Sequence, residues 1–186
     1  MLFLFAASPA QTQVIGFFSH ENGQSCDVDI EPYVPVDVFL LIAWWPEWSG
    51  FGVTGARFGT TNFPENHGYP AGIITEHWSS DNIVGDLYTD FTIMFDEPVG
   101  AGQGFVTLGR LEFLMYDPGW IQQDHQVRIT PGDDCECIVV YDNMGIPQYA
   151  SKGYFTFNCR DICDDYCYLP PTLTREDSWS TVKALF

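Results

Sequence analysis

Short apolar or alternating runs, each ended by turn-forming residues, dominate the chain from residue 11 to about residue 158. The runs are rich in Val, Ile, Phe, Thr and Tyr, and residues such as Gly, Pro, Asn and Asp separate them. No stretch before about residue 160 shows a sustained helical period. The pattern therefore predicts an all-β domain. About nine short strands favour a β-sandwich over a barrel.

The strands that this pattern predicts are Val14–Ser19, Val36–Trp45, Gly52–Phe58, Gly72–Thr75, Phe91–Phe95, Gly104–Tyr116, Gln126–Thr130, Cys137–Tyr141 and Gly153–Phe157. Two of them, Val36–Trp45 and Gly104–Tyr116, are apolar on both faces over much of their length, which is typical of central strands. The segment Asp117-Pro118-Gly119 predicts a tight turn, because Pro fixes φ and Gly accepts a positive φ.

Length and charge exclude several classes of protein. The chain has 186 residues, 7 Lys and Arg against 25 Asp and Glu, and a formal net charge of −18. The length fits one domain, and 46% hydrophobic residues are too many for a disordered acidic segment. The sign of the charge argues against nucleic acid or an anionic membrane as a partner. No apolar run reaches the ~18 residues of a transmembrane segment.

The first residues predict export. Leu2–Ala7 is an apolar run, and Ser8-Pro9-Ala10 supplies the small residues of a cleavage site. Residues 1–10 are therefore interpreted as a short signal peptide, and the alternative is a buried N-terminal strand. We expect an extracellular or cell-surface protein whose β-sandwich domain spans residues 11–158.

An even number of cysteines supports export, because exported chains form disulfides. The disulfide candidates are Cys26, Cys135, Cys137, Cys159, Cys163 and Cys167. Their spacing does not choose a pairing. The alternative is a zinc site built from the closely spaced thiolates, although zinc sites favour tighter pairs than these.

The composition changes after the last predicted strand. Residues 159–171 form a Cys- and Asp-rich linker that ends in Pro170-Pro171, a stiff spacer. Residues 172–186 predict a short C-terminal helix, which would be marginal in isolation and needs a docking surface. The residues expected to dock are Trp179, Val182, Lys183, Leu185 and Phe186.

Three patches of the chain resemble a group of uncharacterised exported bacterial proteins. The tail Ser178–Phe186 resembles their Trp-x-x-Ile/Val-Lys-x-Leu-Phe/Tyr ending, and Val14–Phe18 with Gly23–Cys26 resembles their opening. Gly52–Phe58 is similar to a strand of that group and of cohesin-like sandwiches. The resemblance implies a secreted or surface-displayed sandwich with no assigned activity. Together with the strand pattern, it makes a cohesin-like or immunoglobulin-like sandwich the expected fold.

An aromatic cluster ends the second predicted strand. It comprises Trp44, Trp45 and Trp48, with Glu47 among them. Flat indole faces beside a carboxylate suit a carbohydrate-binding site, and the same residues suit a contact with another protein. A third interpretation is that Trp44 closes the core while the others cover a sheet edge.

Acidic residues in turns are weak candidates for calcium ligands. They are Asp27, Asp29, Glu31, Asp133 and Asp134. Their oxygens suit Ca²⁺, but no segment completes an EF-hand loop. A structural Ca²⁺ is therefore one interpretation, and a solvated acidic surface is the other. No other cofactor is predicted.

No catalytic motif stands out in the sequence. It lacks a phosphate-binding loop, a G-x-S-x-G elbow and an H-E-x-x-H segment. We therefore predict no enzyme but a non-catalytic secreted or cell-surface module for adhesion, assembly or ligand binding, with extracellular or surface proteins or polysaccharide as partners. The alternatives are a carbohydrate-binding module that uses Trp44, Trp45 and Trp48, and a secreted hydrolase of unrecognised type.

Overall fold

The computed structural model describes residues 13–43, 52–132 and 137–160, and every regular element in these ranges is a β-strand. There are twelve: β1 Gln13–Phe18, β2 Asp27–Val28, β3 Pro35–Ala43, β4 Val53–Thr61, β5 Gly72–Trp78, β6 Asn82–Gly85, β7 Phe91–Val99, β8 Phe105–Met115, β9 His125–Thr130, β10 Val139–Asp142, β11 Pro147–Lys152 and β12 Tyr154–Phe157.

The strands form two layers that face each other. One layer has the order β5-β8-β3-β1, and all of its pairs are antiparallel. The other contains β2-β12-β9-β4, with β7 and β6 continuing from β4. The β10–β11 hairpin links the layers, because β10 pairs with β4 while β11 pairs in parallel with β1.

Phenylalanine rings from both layers fill the centre of the molecule. The buried rings that contact one another in this way, named the phenylalanine core here, are Phe17, Phe63, Phe113, Phe155 and Phe157. The ring centroid of Phe17 in β1 lies 6.5 Å from that of Phe155 in β12. The ring centroid of Phe113 in β8 lies 4.9 Å from that of Phe157, also in β12. Burial of these rings provides much of the hydrophobic stabilisation, since each large aromatic removes 150–250 Å² from water in a typical core.

A bulge divides the long strand β8 into two halves. Leu40 and Leu41 of β3 pair with Gly109 and Thr107, so Leu108 between them has no partner in the register. The extra residue reverses the alternation of side chains along the strand. This explains why both Leu108 and Leu111 are buried, and why strict alternation does not describe β8.

The sequence-based prediction of an all-β chain is confirmed for the described residues, and each of the nine predicted strands overlaps an observed one. The count is too low, because β2, β6 and β11 were not predicted. Strand β2 has two residues, β6 is mostly exposed, and β11 begins with a proline. Strands this short or this exposed carry little of the apolar alternation on which the prediction depends.

Two carboxylates fix connections between strands. Asp90, just before β7, pairs with the Arg57 guanidinium of β4, and this contact lowers the pKa of Asp90. At the β10–β11 turn, burial raises the pKa of Asp142. Hydrogen bonds from the backbone N–H groups of Ile146 and Met144 and from the Gln148 side chain together outweigh this effect, so the pKa is lowered overall. Both side chains serve the fold.

Several predictions fall outside the described residues. These are the signal peptide 1–10, most of the linker 159–171 and the tail helix 172–186, together with its docking residues Trp179, Val182, Lys183, Leu185 and Phe186. The domain boundaries therefore stay predictions. Within the described ranges, no helix is long and apolar enough to span a membrane.

Candidate functional site

Three loops meet at one end of the layer formed by β5, β8 and β3. The register places the start of β3 beside the end of β8, through Pro35 opposite Leu114. It also places the start of β5 there, through Gly72 opposite Met115. The loops that precede β3, precede β5 and follow β8 are therefore neighbours in space, although they are distant in the sequence.

Each of these loops contributes one tyrosine to a common cluster. Tyr33 and Tyr69 both contact Tyr116, with ring centroids 5.9 Å and 5.8 Å from the Tyr116 centroid. These three residues are named the tyrosine cluster. Tyr33 and Tyr69 are 73% and 83% exposed, so their rings pack on a neighbour but remain almost wholly in water.

Backbone hydrogen bonds hold the three loops together. The Tyr33 N–H donates to the carbonyl oxygen of Met115 at 2.7 Å. The N–H groups of Tyr116 and Asp117 both donate to the carbonyl oxygen of Ala71 at 2.9 Å. Because the main chain of each loop is bonded to another loop or strand end, the tyrosines are presented from a fixed framework rather than from free loop tips.

Trp120 links the loop that follows β8 to the loop that precedes β5 and to the core. Its indole N–H donates to the carbonyl oxygen of Glu65 at 3.0 Å, and its ring lies 6.5 Å from Phe113. The same ring lies against Gly72, where an added Cβ would be only 2.1 Å from the indole. The tight turn predicted at Asp117-Pro118-Gly119 is present: the Trp120 N–H donates to the carbonyl oxygen of Asp117 at 3.1 Å, and the Gly119 N–H donates to the Asp117 carboxylate at 2.8 Å. The positive φ expected at Gly119 is not observed, so that part of the prediction is wrong.

Tyr33 has an unusual backbone conformation. Its φ is +65°, in the left-handed region that Gly and Asn prefer. An L-residue with a bulky side chain is disfavoured there by about 1–2 kcal/mol. The exposed Tyr33 ring gains little burial in return. Such a combination indicates that the side chain serves something other than stability.

The tyrosine cluster lines a cleft of about 540 Å³, together with Pro70, Asp117 and Pro118. The surface beside it continues the apolar character: Val34 is exposed, and Ile73 and Leu114 lie half-buried on the adjoining strands. An aromatic cleft next to apolar surface is typical of sites that bind other molecules.

A second cleft lies on the other layer and has a different character. It measures about 630 Å³ and is lined by Ser79, Ser80, Asp81, Asn82, Phe95, Asp96, Glu97 and Val99. Acidic and polar side chains dominate its lining, and Phe95 and Val99 are its only hydrophobic lining residues.

The site residues predicted from the sequence are not those of the tyrosine cluster. Trp44, Trp45, Glu47 and Trp48 lie outside the described residues, so their role stays a prediction. The tyrosines were missed because nothing in the sequence shows that their loops converge. A local signal was available, since each tyrosine has a proline within two positions: Pro32, Pro70 and Pro118.

The calcium candidates also stay a prediction. Asp27, in β2, accepts a hydrogen bond from the hydroxyl of Ser25, which precedes the strand. Asp29 and Glu31 are exposed in the loop that follows β2. Among the described residues, no three His, Cys, Asp or Glu side chains are grouped closely enough to hold a metal ion. Asp133 and Asp134 lie outside the described ranges.

Three of the six cysteines lie within the described part of the chain. Cys26 is buried immediately before β2, Cys137 precedes β10 and Cys159 follows β12. None of the three is a free thiol. Cys135, Cys163 and Cys167 lie outside the described ranges, so the pairing stays open.

The sequence matches no protein-family model and no curated protein. Among solved structures, the chain is similar to a cohesin module from a Clostridium perfringens ATCC13124 family 33 glycoside hydrolase, with 9% identity and a TM-score of 0.45 over 80% of this chain and 98% of that one. It is also similar to the sixth cohesin of Acetivibrio cellulolyticus scaffoldin B, with 12% identity and a TM-score of 0.44 over 80% of this chain and 99% of that one.

A third similar structure is the collagen-binding domain from a Staphylococcus aureus adhesin, with 10% identity and a TM-score of 0.35 over 81% of this chain and 98% of that one. Identities of 9–12% and TM-scores of 0.45 or less transfer neither a ligand nor an activity to this chain. Cohesin and adhesin modules are thus what the chain is distantly similar to, and its function has to be argued from the tyrosine cluster itself.

Proposed function

We propose that this chain is a non-catalytic binding module of the cell surface or the extracellular space, and that the tyrosine cluster is the surface with which it binds another protein. The observation that carries the proposal is the convergence of three tyrosine rings on a hydrogen-bonded framework outside the core.

Tyrosine is suited to this role for two physical reasons. Its ring offers a large contact area with only two side-chain torsions to immobilise, and its hydroxyl can remain hydrated or find a partner. Tyrosine is therefore enriched at the centres of protein interfaces. The exposed Val34 and the half-buried Ile73 and Leu114 extend the contact area around the cluster.

Export and cell-surface location are part of the proposal. They rest on the apolar residues 2–7, on the even number of cysteines and on the acidic composition. The tail residues Trp179, Val182, Lys183, Leu185 and Phe186 are proposed to dock at the surface of the producing cell. Fractionation of the source organism, with a non-reducing mass of the mature chain, would test these points together.

Binding can be tested with two matched triple variants of the full chain. In the first, Tyr33, Tyr69 and Tyr116 are all changed to Ser. In the control, three exposed hydrophobic residues elsewhere, Val84, Met144 and Tyr149, are changed to Ser; they are 67%, 74% and 75% exposed. Retention of each protein is measured by biolayer interferometry on immobilised envelope proteins, extracellular-matrix proteins and polysaccharides.

The wild-type chain and the control variant should be retained on at least one protein surface, and the cluster variant should lose at least ten-fold in retention there. Equal retention of the three chains would refute the proposed role of the cluster. Retention on polysaccharide alone would instead favour the carbohydrate-binding alternative, to which Trp44, Trp45 and Trp48 were assigned from the sequence.

A further inference from the structure

We infer that the tyrosine cleft receives a cationic side chain, a guanidinium or an ammonium group, from a basic segment of the protein partner. The inference rests on the proposed function and deepens it by naming the chemistry of the partner. It depends on the lining of the cleft, on the acidic groups around it and on where this chain places its own cations.

The lining of the cleft suits a cation. Tyr33, Tyr69 and Tyr116 line the cleft. The face of a tyrosine ring is electron-rich and attracts a cation placed within about 6 Å of the ring centroid. Asp117 is the only ionisable group among the lining residues besides the tyrosine hydroxyls. One of its carboxylate oxygens accepts from the Gly119 N–H. Its negative charge adds to the attraction.

Two of the loops that carry the cluster also carry an exposed acidic residue. Glu31 precedes Tyr33 in the same loop, and Glu65 precedes Tyr69 in another; both are exposed. The whole chain carries a formal charge of −18. A basic segment would therefore be attracted to this end of the molecule before contact, whereas a neutral sugar would gain nothing from that field.

The cations of the described residues do not line the cleft, and most of them have other contacts. Arg57 pairs with Asp90, and Arg110 lies 3.2 Å from Asp37. Arg128 and Lys152 lie over the ring of Tyr154, at 5.5 Å and 5.8 Å from its centroid. Tyr154 therefore makes cation–π contacts with two cations of the same chain. The cleft of the tyrosine cluster has three tyrosines and no cation among its lining residues.

The test compares two small probes that differ in charge but hardly in shape: N-acetyl-arginine amide and N-acetyl-citrulline amide. Each is titrated into the full chain, labelled with ¹³C in its tyrosine rings, at low salt. The arginine probe should shift the ring resonances of Tyr33, Tyr69 and Tyr116. Its apparent dissociation constant should be at least ~5-fold lower than that of the citrulline probe. The exposed ring of Tyr149 serves as an internal control.

Two variants sharpen the measurement. Asp117→Asn keeps an oxygen to accept from Gly119 and removes the charge, so it should weaken the arginine probe by at least ~3-fold and leave the citrulline probe unchanged. Tyr69→Phe should retain binding, because the ring face is kept, and Tyr69→Leu should lose it.

Three results would overturn the inference: equal affinity for the two probes, shifts of Tyr149 as large as those of the cluster, or ring shifts by a maltooligosaccharide without any by the arginine probe. These failures are distinguishable from failure of the proposed function. If the cluster variant loses retention on a protein surface while the arginine probe shifts nothing, the binding surface stands and only the cationic partner is wrong.

Discussion

Two of the aromatic clusters in the described part of the chain, the phenylalanine core and the tyrosine cluster, have similar internal spacing and opposite exposure. Ring centroids in the phenylalanine core are 4.9–6.5 Å apart, and those in the tyrosine cluster are 5.8 Å and 5.9 Å apart. The core rings are buried, whereas Tyr33 and Tyr69 are largely in water. Ring contact alone therefore does not distinguish a stabilising cluster from a binding cluster, while burial and the presence of a hydroxyl group do.

The two clusters are also joined. Phe63, which contacts Phe17 and Phe113, lies in the same loop as Tyr69. Trp120, which contacts Phe113, lies in the loop that begins with Tyr116. The core thus anchors the loops that present the binding cluster. A change in the core should reduce stability, and a change in the tyrosines should reduce binding without reducing stability.

The largest effect on stability is expected from Phe155→Ala. Phe155 is fully buried and contacts two other rings, so its truncation leaves a cavity and should lower the free energy of unfolding by about 3–5 kcal/mol. Urea denaturation measures the change. The control Tyr149→Ala, at an exposed position on β11, should change it by less than about 0.5 kcal/mol. Similar losses in the free energy of unfolding for both variants would contradict the distinction between buried and exposed rings.

A smaller effect is expected where the core meets the binding cluster. Gly72→Ala places a methyl group against the Trp120 indole, which would have to move, at a cost of about 1–3 kcal/mol. The Trp120 indole N–H resonance should shift as its hydrogen bond to the Glu65 carbonyl changes. Gly104→Ala is the control, because nothing lies within 4 Å of the added Cβ. An unperturbed Trp120 resonance in Gly72→Ala would contradict the described anchor.

The difference between the clusters also explains what the sequence could predict. Buried strands such as β3 and β8 are long and apolar, so their hydrophobic pattern identifies them. The edge strand β6 and the hairpin strand β11 bury too little to leave such a pattern. The bulge at Leu108 is equally invisible, because it depends on how β8 pairs with β3.

The tyrosine cluster is harder to predict for a related reason. Tyr33, Tyr69 and Tyr116 belong to three different loops, and only the pairing of β3 and β5 with β8 brings those loops together. A sequence gives the pattern of single strands but not their partners. Proximity to a proline marked each tyrosine as a turn residue, without showing that the three would meet.

Acid should weaken the contact between β4 and the segment before β7 by a modest amount. The Arg57 guanidinium holds the pKa of Asp90 below its ordinary value of 3.8. Since the folded-state pKa is the lower one, the stability that the pair contributes is fully present above about pH 4 and is lost as the pH falls through the folded-state value. Asp90→Asn should therefore cost about 1 kcal/mol at pH 7 and progressively less below pH 4.

Urea denaturation at a series of pH values checks this result. Asp37→Asn is the matched control, because the Asp37–Arg110 pair is more exposed, at 39% and 41%, and should contribute a few tenths of a kcal/mol. A cost of Asp90→Asn that stays constant from pH 7 to pH 3 would show that the ion pair is not its origin.

The measurement that tests the division of roles most directly is made on Tyr33→Gly. Glycine accepts the positive φ of this position without steric conflict, and the exposed ring contributes little burial, so the variant should be about 1 kcal/mol more stable, although glycine's greater freedom in the unfolded chain offsets part of the gain. The same variant should lose most of its retention on the protein surface that holds the wild type. A variant that melts higher and binds less would confirm that Tyr33 is kept for recognition. A variant that melts lower, or that is retained as well as the wild type, would contradict it.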